Sequence, residues 1–191
     1  MRFRATLNNA VGLCKIAQYL EKLGPVCIIS FSTDAIQLIR KDQEGGIQAW
    51  TKLRPASLFS NYRVESSRSN NEINMKVRLD DLIRASRTAQ NAREVTIHLR
   101  RKLGQPVLTW TMESTNRVGT RNTIAQDLNV NIMNADQMSL LREPTAFESP
   151  DAYVLMPGLH SLASISARFR PLSKFITVAA NMDERRSRWP K

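Results

Sequence analysis

The segment that most constrains the fold spans residues 72–100, where the spacing of apolar side chains changes twice. Apolar and polar residues alternate over 73–79, which is the period of a half-buried strand. Over 79–90 the apolar residues recur at helical spacing, and over 95–99 they alternate again. The segment therefore predicts a strand, an amphipathic helix and a second strand.

The same order of elements is predicted near the N-terminus. A strand over 2–7 precedes a helix with apolar residues from Leu13 to Leu23, and Gly24-Pro25 ends that helix. An apolar strand follows over 26–31.

A third unit is predicted near the C-terminus. Strands are expected over 152–156 and 175–180, and the helix between them carries a stripe from Leu159 to Phe169, with Pro157 in its first turn. Three such units indicate an internal repeat. The alternative is an α+β protein in which this common arrangement recurs without a repeat.

The rest of the chain predicts an antiparallel meander joined by short turns. Further strands are expected at 35–39, 47–53, 107–112 and 122–133. Connections are expected at 42–46, 55–59, 66–71 and 114–120. We expect a first domain over 1–133, a linker over 134–150, part of a second domain over 151–183 and an irregular basic tail over 184–191.

The charge of the chain favours a polyanionic partner, with nucleic acid first and an anionic membrane second. The formal net charge is +11 and the isoelectric point about 10.4. A basic surface that only aids solubility is the alternative. Cys14 and Cys27 lie in apolar patterns and are expected to be buried thiols in a reducing compartment. Apolar runs are too short for a membrane span and no signal-peptide core is visible, which predicts a cytosolic or nuclear protein.

No catalytic or metal motif is recognisable. His98 and His160 have no cysteine or carboxylate companions at ligand spacing, and no cofactor is predicted. Asp80 and Asp81 are better explained as favourable charges in the first turn of a helix than as a metal pair. An enzyme with an unrecognised site stays a third possibility.

The outer faces of the predicted helices carry spaced positive charges. Side chains of this kind can meet phosphates without reading bases, although a solvated helix face is the ordinary alternative. The residues are Lys15 and Lys22 on the first helix, with the neutral Gln18 between them, Arg84 and Arg87 on the second and Arg168 on the third.

Several short motifs, in order along the chain, resemble one known family. They are MRFRA at 1–5, GGIQAW at 45–50, NNEI at 70–73, RTAQNAR at 87–93, REP at 142–144, MPGLHSL at 156–162 and ITVAANMD at 176–183. Together they resemble the hydroxyurea-sensitivity (Hus-type) subunit of the nine-one-one checkpoint sliding clamp, which is related to PCNA. The most specific of them is TAQNAR.

The resemblance implies an α+β sliding-clamp fold, with antiparallel sheets outside and helices on the inner face. It implies a non-catalytic subunit of a heterotrimeric ring around double-stranded DNA, acting in DNA-damage checkpoint signalling and repair. The implied partners are two other clamp subunits, a clamp loader, and checkpoint and repair proteins. The implied location is the nucleus, with the nucleolus or cytoplasm also open. A stand-alone nucleic-acid-binding domain without sequence preference is the alternative function.

The resemblance also gives expectations for individual residues. The basic side chains on the helix faces would line the DNA channel. The linker residues Met138, Leu140 and Leu141 would border a pocket for partner peptides. The strand over 122–133 would form a subunit edge, with Ile124, Leu128, Val130 and Ile132 along it. After Asp183 the chain departs from the family pattern, so we expect a truncated second domain that cannot complete a ring.

Overall fold

A computed structural model describes residues 1–41, 47–67, 70–115, 121–141, 143, 156–173 and 176–177. It divides into two compact units, Met1–Glu143 and Pro144–Lys191. The strands are β1 (Arg2–Leu7), β2 (Val26–Phe31), β3 (Ile36–Lys41), β4 (Gln48–Leu53), β5 (Phe59–Glu65), β6 (Ile73–Arg78), β7 (Glu94–Lys102), β8 (Gln105–Thr115) and β9 (Arg121–Ile132). The α-helices are α1 (Ala10–Glu21), α2 (Leu79–Ala89), α3 (Ala135–Ser139) and α4 (Leu159–Phe169).

The nine strands form one antiparallel sheet in the order β4-β3-β2-β6-β9-β8-β7-β1-β5. Strand β9 joins the two halves of the sheet, because its residues 121–129 pair with β8 and its residues 130–132 pair with β6. The predicted α+β class with antiparallel strands is confirmed.

The core of the first unit lies between the inner face of the sheet and the two longer helices of that unit. Helix α1 buries Leu13, Cys14, Ala17 and Leu20, and α2 buries Leu79, Leu82, Ile83, Ala85, Ser86 and Ala89. The helices also pack against each other. Phe3 stacks on Phe31 with ring centroids 4.2 Å apart, and Tyr62 donates a hydrogen bond to the carbonyl of Ser32 at 2.8 Å.

Both cysteines are buried in this core, as the sequence predicts. Cys27 is 1% exposed on β2, and burial raises the pKa of its thiol to about 12, an effect that nearby Arg40 partly opposes. A thiol with so high a pKa has almost no thiolate at neutral pH, which is typical of a structural cysteine.

Local sequence explains how several elements begin and end. The Asn9 side chain accepts a hydrogen bond from the Gly12 amide at 2.7 Å, which caps the start of α1. Leu103 and Gly104 connect β7 to β8 with φ of +50° and +80°. A two-residue turn with two positive φ values matches the twist of antiparallel strands.

Several predicted elements differ from the structure. The corner expected over 55–59 is a 3-10 turn at Pro55–Ser57, and β5 after it was not predicted. Strand β8 continues to Thr115, into the expected loop over 114–120. The turn expected over 42–46 lies outside the described residues, as do 68–69 of the loop expected over 66–71.

The third predicted unit is only partly present among the described residues. Helix α4 begins at Leu159, after Pro157, so the prediction that this proline lies in its first turn is wrong. Met156, Ile176 and Thr177 are not in strands, which contradicts the strands expected there. The other residues of those two expected strands lie outside the described residues, as does the tail over 184–191.

Candidate nucleic-acid interface

The exposed faces of α1 and α2 form the predicted nucleic-acid interface. Each helix buries its apolar side against the sheet, and because the two helices pack together their exposed sides adjoin. Lys15, Lys22, Arg84 and Arg87 are exposed, and Gln18 is half-buried. The four cationic side chains therefore lie at the surface, where an anionic partner can reach them.

The two arginines of α2 differ in their surroundings. Arg84 Nη2 lies 3.2 Å from Asp81 Oδ1, and Asp81 also lies 3.8 Å from Arg78. Arg87 has no carboxylate within ion-pair distance among the residues that the structure describes. Part of the charge of Arg84 is thus balanced within the helix, whereas that of Arg87 remains available.

Asp80 lies in the first turn of α2 and forms an ion pair with a neighbouring arginine. Arg78 Nη2 lies 2.7 Å from Asp80 Oδ2, and this hydrogen bond lowers the pKa of the Asp80 carboxyl. Asp80 and Asp81 also lie in the first turn, where the helix dipole favours negative charge. The two acids are therefore favourable charges in the first turn of a helix, as the sequence predicts.

The cations of α1 differ less from one another. Lys15 has no acidic partner in the described ranges, and Lys22 lies 5.6 Å from the centre of the Tyr19 ring. Arg168 is exposed in the last turn of α4, which belongs to the second unit. The six predicted channel residues are therefore divided between two units, five of them in the first.

The predicted partner-pocket residues lie in and after α3. A reciprocal pair of hydrogen bonds between Asn134 and Gln137 caps this short helix. Met138 and Leu141 pack on a small apolar cluster that lies apart from the main core, whereas Leu140 is 75% exposed. The buried members of this cluster are Ile28, Ile39 and Met133.

A groove runs beside this segment. Lys76 on β6 and Asn129 on β9 line it, as do Met133 and Leu141. Lys41 Nζ lies 3.4 Å from the carbonyl oxygen of Leu140 and holds the segment at one side. The groove is lined by both apolar and basic residues, which suits a peptide with apolar anchors.

The predicted subunit edge, β9, is open along only part of its length. Residues 121–129 pair with β8 on one side and have no strand on the other side among the described residues. Ile124 is 49% exposed and Leu128 is buried, and both lie in this open part. Val130 and Ile132 pair with Val77 and Met75 of β6. The backbone of the open part can therefore accept another strand.

The histidines do not form a metal site in the part of the chain that the structure describes. No group of three or more histidine, cysteine and acidic side chains there could hold a metal ion. His98 lies on β7, where its burial is the largest cause that lowers the pKa of its imidazole and the charges of Arg100 and Arg4 lower it further.

None of the described helices is long and apolar enough to span a bilayer.

Sequence reasoning missed a second basic surface on the sheet. It includes Arg63 on β5, the strand that was not predicted, and Arg4, which lies directly opposite on β1. Alternation of Tyr62 and Val64 with Arg63 was the available signal.

Comparison with known proteins decides the family. The family model for Hus1-like protein matches residues 1–186. The chain belongs to the Hus1-like family. The resemblance seen in the motifs and the sliding-clamp fold class are both confirmed.

Curated relatives of the Hus1-like family are similar along almost the whole chain. Checkpoint protein hus1 of Schizosaccharomyces pombe is 29% identical over 182 residues, which cover 95% of this chain and 63% of that relative. Checkpoint protein HUS1 of Homo sapiens is 28% identical, covering 96% of this chain and 67% of the relative. The Dictyostelium discoideum hus1 homologue is 28% identical, covering 98% and 68%. The chain therefore spans about two thirds of the length of these Hus1-like proteins.

Proposed function

We propose that this chain is a non-catalytic subunit of a heterotrimeric checkpoint clamp that encircles DNA and acts in DNA-damage signalling and repair. Membership of the Hus1-like family carries the proposal. The relatives in fission yeast and human are named as checkpoint proteins. The proposed location is the nucleus.

The exposed face of α1 and α2 is the proposed DNA contact. Lys15 and Arg87 are its strongest candidates, since neither has an acidic neighbour among the described residues. Cations on a helix surface bind phosphates without reading the bases, as an encircling protein requires. Arg84 contributes less because Asp81 already pairs with it. Gln18 and Lys22 of α1 complete this face, and Arg168 is the proposed contact from the second unit.

Two further surfaces would serve protein partners. The open part of β9 would pair with a strand of a neighbouring clamp subunit, and strand addition supplies main-chain hydrogen bonds. The groove beside Met138 and Leu141 would receive peptides from repair or checkpoint proteins. Clamp loading by a separate loader is part of the same proposal. We propose a first clamp domain over 1–133, a linker over 134–150 and clamp-domain sequence over 151–183.

The DNA contact is tested with the variant Lys15→Glu/Arg87→Glu, whose retention on duplex DNA in the presence of two other clamp subunits is compared with that of the unaltered chain. We expect retention to fall about tenfold at moderate salt and its salt dependence to weaken, because two phosphate contacts are lost. Retention is measured by gel filtration of the protein–DNA complex. Arg4→Glu/Arg63→Glu is a matched control, because it changes the charge equally on the sheet, and it should retain DNA normally.

Two results would contradict the proposal. Unchanged retention of Lys15→Glu/Arg87→Glu would exclude the helix face as the DNA contact. Tight retention on linear DNA with free ends, without partner subunits, would favour a stand-alone nucleic-acid-binding domain instead.

A further inference from the structure

The side of the sheet that faces away from α1 and α2 carries a dense group of cations. Strand register places Arg63, Arg4 and His98 in one row across β5, β1 and β7. Residues directly opposite in antiparallel strands share a face, so all three project from the same side. We call this surface the basic sheet face. Its members are Arg2, Arg4, Arg63, His98, Arg100 and Lys102.

Acidic side chains balance only part of this charge. Glu65 lies 4.0 Å from Arg2, and Asp127 lies 2.7 Å from Lys102. Arg4, Arg63 and Arg100 have no carboxylate within ion-pair distance in the part of the chain that the structure describes. Among the described residues, the basic sheet face therefore holds three exposed guanidinium groups that are not in an ion pair, although Arg100 is near enough to Asp127 to lower the pKa of its carboxyl.

The position of Arg4 opposite Arg63 is unfavourable for folding by itself. Like charges placed directly across an antiparallel pair repel each other. The pKa of the neighbouring His98 imidazole is lowered by its burial and by Arg100 and Arg4, which fits a local excess of positive charge. An anion bound between the two strands would remove this repulsion.

The face already binds one carboxylate from its own chain. Asp127 accepts hydrogen bonds from Lys102 Nζ at 2.7 Å and from Thr109 Oγ1 at 2.6 Å. Together these contacts lower the pKa of the Asp127 carboxyl, with Lys102 the larger cause. At Arg4 and Arg63, two guanidinium groups on adjacent strands are available to an incoming carboxylate.

We propose that the basic sheet face docks an acidic, extended segment of a partner protein, with its carboxylates on Arg4, Arg63 and Arg100. Same-face side chains recur about every 6.8 Å along a strand and equally along an extended peptide, so several carboxylates can be met at once. The described residues of this face include no Phe, Tyr or Trp, and single-stranded nucleic acid binding relies on such stacking platforms. The charge of this face complements an acidic peptide, and the lack of stacking side chains among its described residues disfavours single-stranded nucleic acid.

The test uses the full chain and a fluorescently labelled oligoglutamate peptide, with binding measured by anisotropy. Arg4→Glu/Arg63→Glu should weaken binding about tenfold, because two ion pairs become repulsive contacts. This variant keeps like charges opposite each other, so its folding should match the wild type in circular dichroism. Lys52→Glu/Arg54→Glu makes the same change in net charge on β4 and directly after it, and this variant should bind nearly as the wild type does.

Three results would overturn the proposal. One is an equal loss of peptide binding in both double variants, which would indicate non-specific charge attraction. Another is the absence of oligoglutamate binding by the wild type. The third is a loss of binding to a short DNA duplex in Arg4→Glu/Arg63→Glu with unchanged peptide binding, which would assign the face to nucleic acid. The first two results do not bear on the helix face that carries the proposed DNA contact, whereas the third would also conflict with the normal DNA retention expected of Arg4→Glu/Arg63→Glu.

Discussion

Helices α2 and α4 have the same length and similar apolar spacing, yet only α2 is buried. Both contain 11 residues, and α2 buries six of them while α4 buries none. Leu82 of α2 is 1% exposed, whereas Leu159 and Phe169 of α4 are 86% and 49% exposed. The difference teaches that periodicity identifies the face of a helix that is ready for burial, but not the surface that covers it.

Neighbouring elements account for the burial of α2. It follows β6 without a gap and packs against α1 and the sheet. In the described residues around α4, neither Met156 nor Thr177 belongs to a strand. Burying a leucine stabilises a fold by about 1.5–3 kcal/mol, and Leu159, exposed among the described residues of the second unit, does not make that contribution.

The largest expected effect compares one leucine from each helix. We expect Leu82→Ala to lower the free energy of unfolding by about 2–5 kcal/mol, because it leaves a cavity in the core. Leu159→Ala should change it by less than about 0.5 kcal/mol, as an exposed side chain does. Urea unfolding followed by circular dichroism measures both. Equal losses in the two variants would show that a surface buries the stripe on α4.

A second pair of variants compares one serine from each helix. Ser86 of α2 is fully buried and donates a hydrogen bond to the carbonyl of Leu82 at 2.7 Å, whereas Ser166 of α4 is exposed. Ser86→Val should cost about 1–3 kcal/mol, because it overpacks a fully buried site and loses the hydrogen bond. Ser166→Val should change stability by less than about 0.5 kcal/mol. Thermal unfolding of the two variants checks this, and a tolerated valine at position 86 would contradict the close packing of α2.

The smallest expected effect concerns the first turns of the two helices. Because the pKa of the Asp80 carboxyl is lowered in the folded state, its stabilisation is complete above the unfolded value of about 3.9 and is lost as pH falls through the folded value. Asp80→Asn should therefore reduce the dependence of unfolding on pH below about 4. The first turn of α4 contains no acid, so His160→Asn should leave this dependence unchanged. The effect is measured from the urea midpoint of unfolding as a function of pH. If Asp80→Asn leaves the pH dependence below about 4 unaltered, the carboxyl does not stabilise the start of α2.

The sequence predicts much of the first unit because local signals agree there. The predicted bounds of β1 and β2 match the structure, and the first two predicted helices lie within a few residues of α1 and α2. Strand β5 was missed because the 3-10 turn at Pro55–Ser57 lies just before it and Asn61, with a positive φ, interrupts the alternation within it. Helix α3 was interpreted as linker, although its Asn134 and Gln137 carry a capping signal.

Of the candidate sites, those that depend on local spacing could be predicted from the sequence, and those that depend on strand pairing could not. Exposed cations on one helix face follow from helical spacing alone, so Lys15 and Arg87 could be named in advance. The opposition of Arg4 and Arg63 depends on the register between strands about sixty residues apart, which no local pattern specifies. Which part of β9 keeps an unpaired edge likewise depends on the pairing of residues 121–129 with β8 and of residues 130–132 with β6.

The two buried thiols can report transient unfolding of the first unit. Cys14 and Cys27 both lie in Met1–Glu143, and at neutral pH the folded chain shields them from alkylating reagents. The rate at which such a reagent modifies them therefore counts transient exposures of this unit alone, whatever the rest of the polypeptide does. Alkylation followed by mass spectrometry can thus monitor the state of this unit inside larger assemblies, where spectroscopic signals from several proteins overlap.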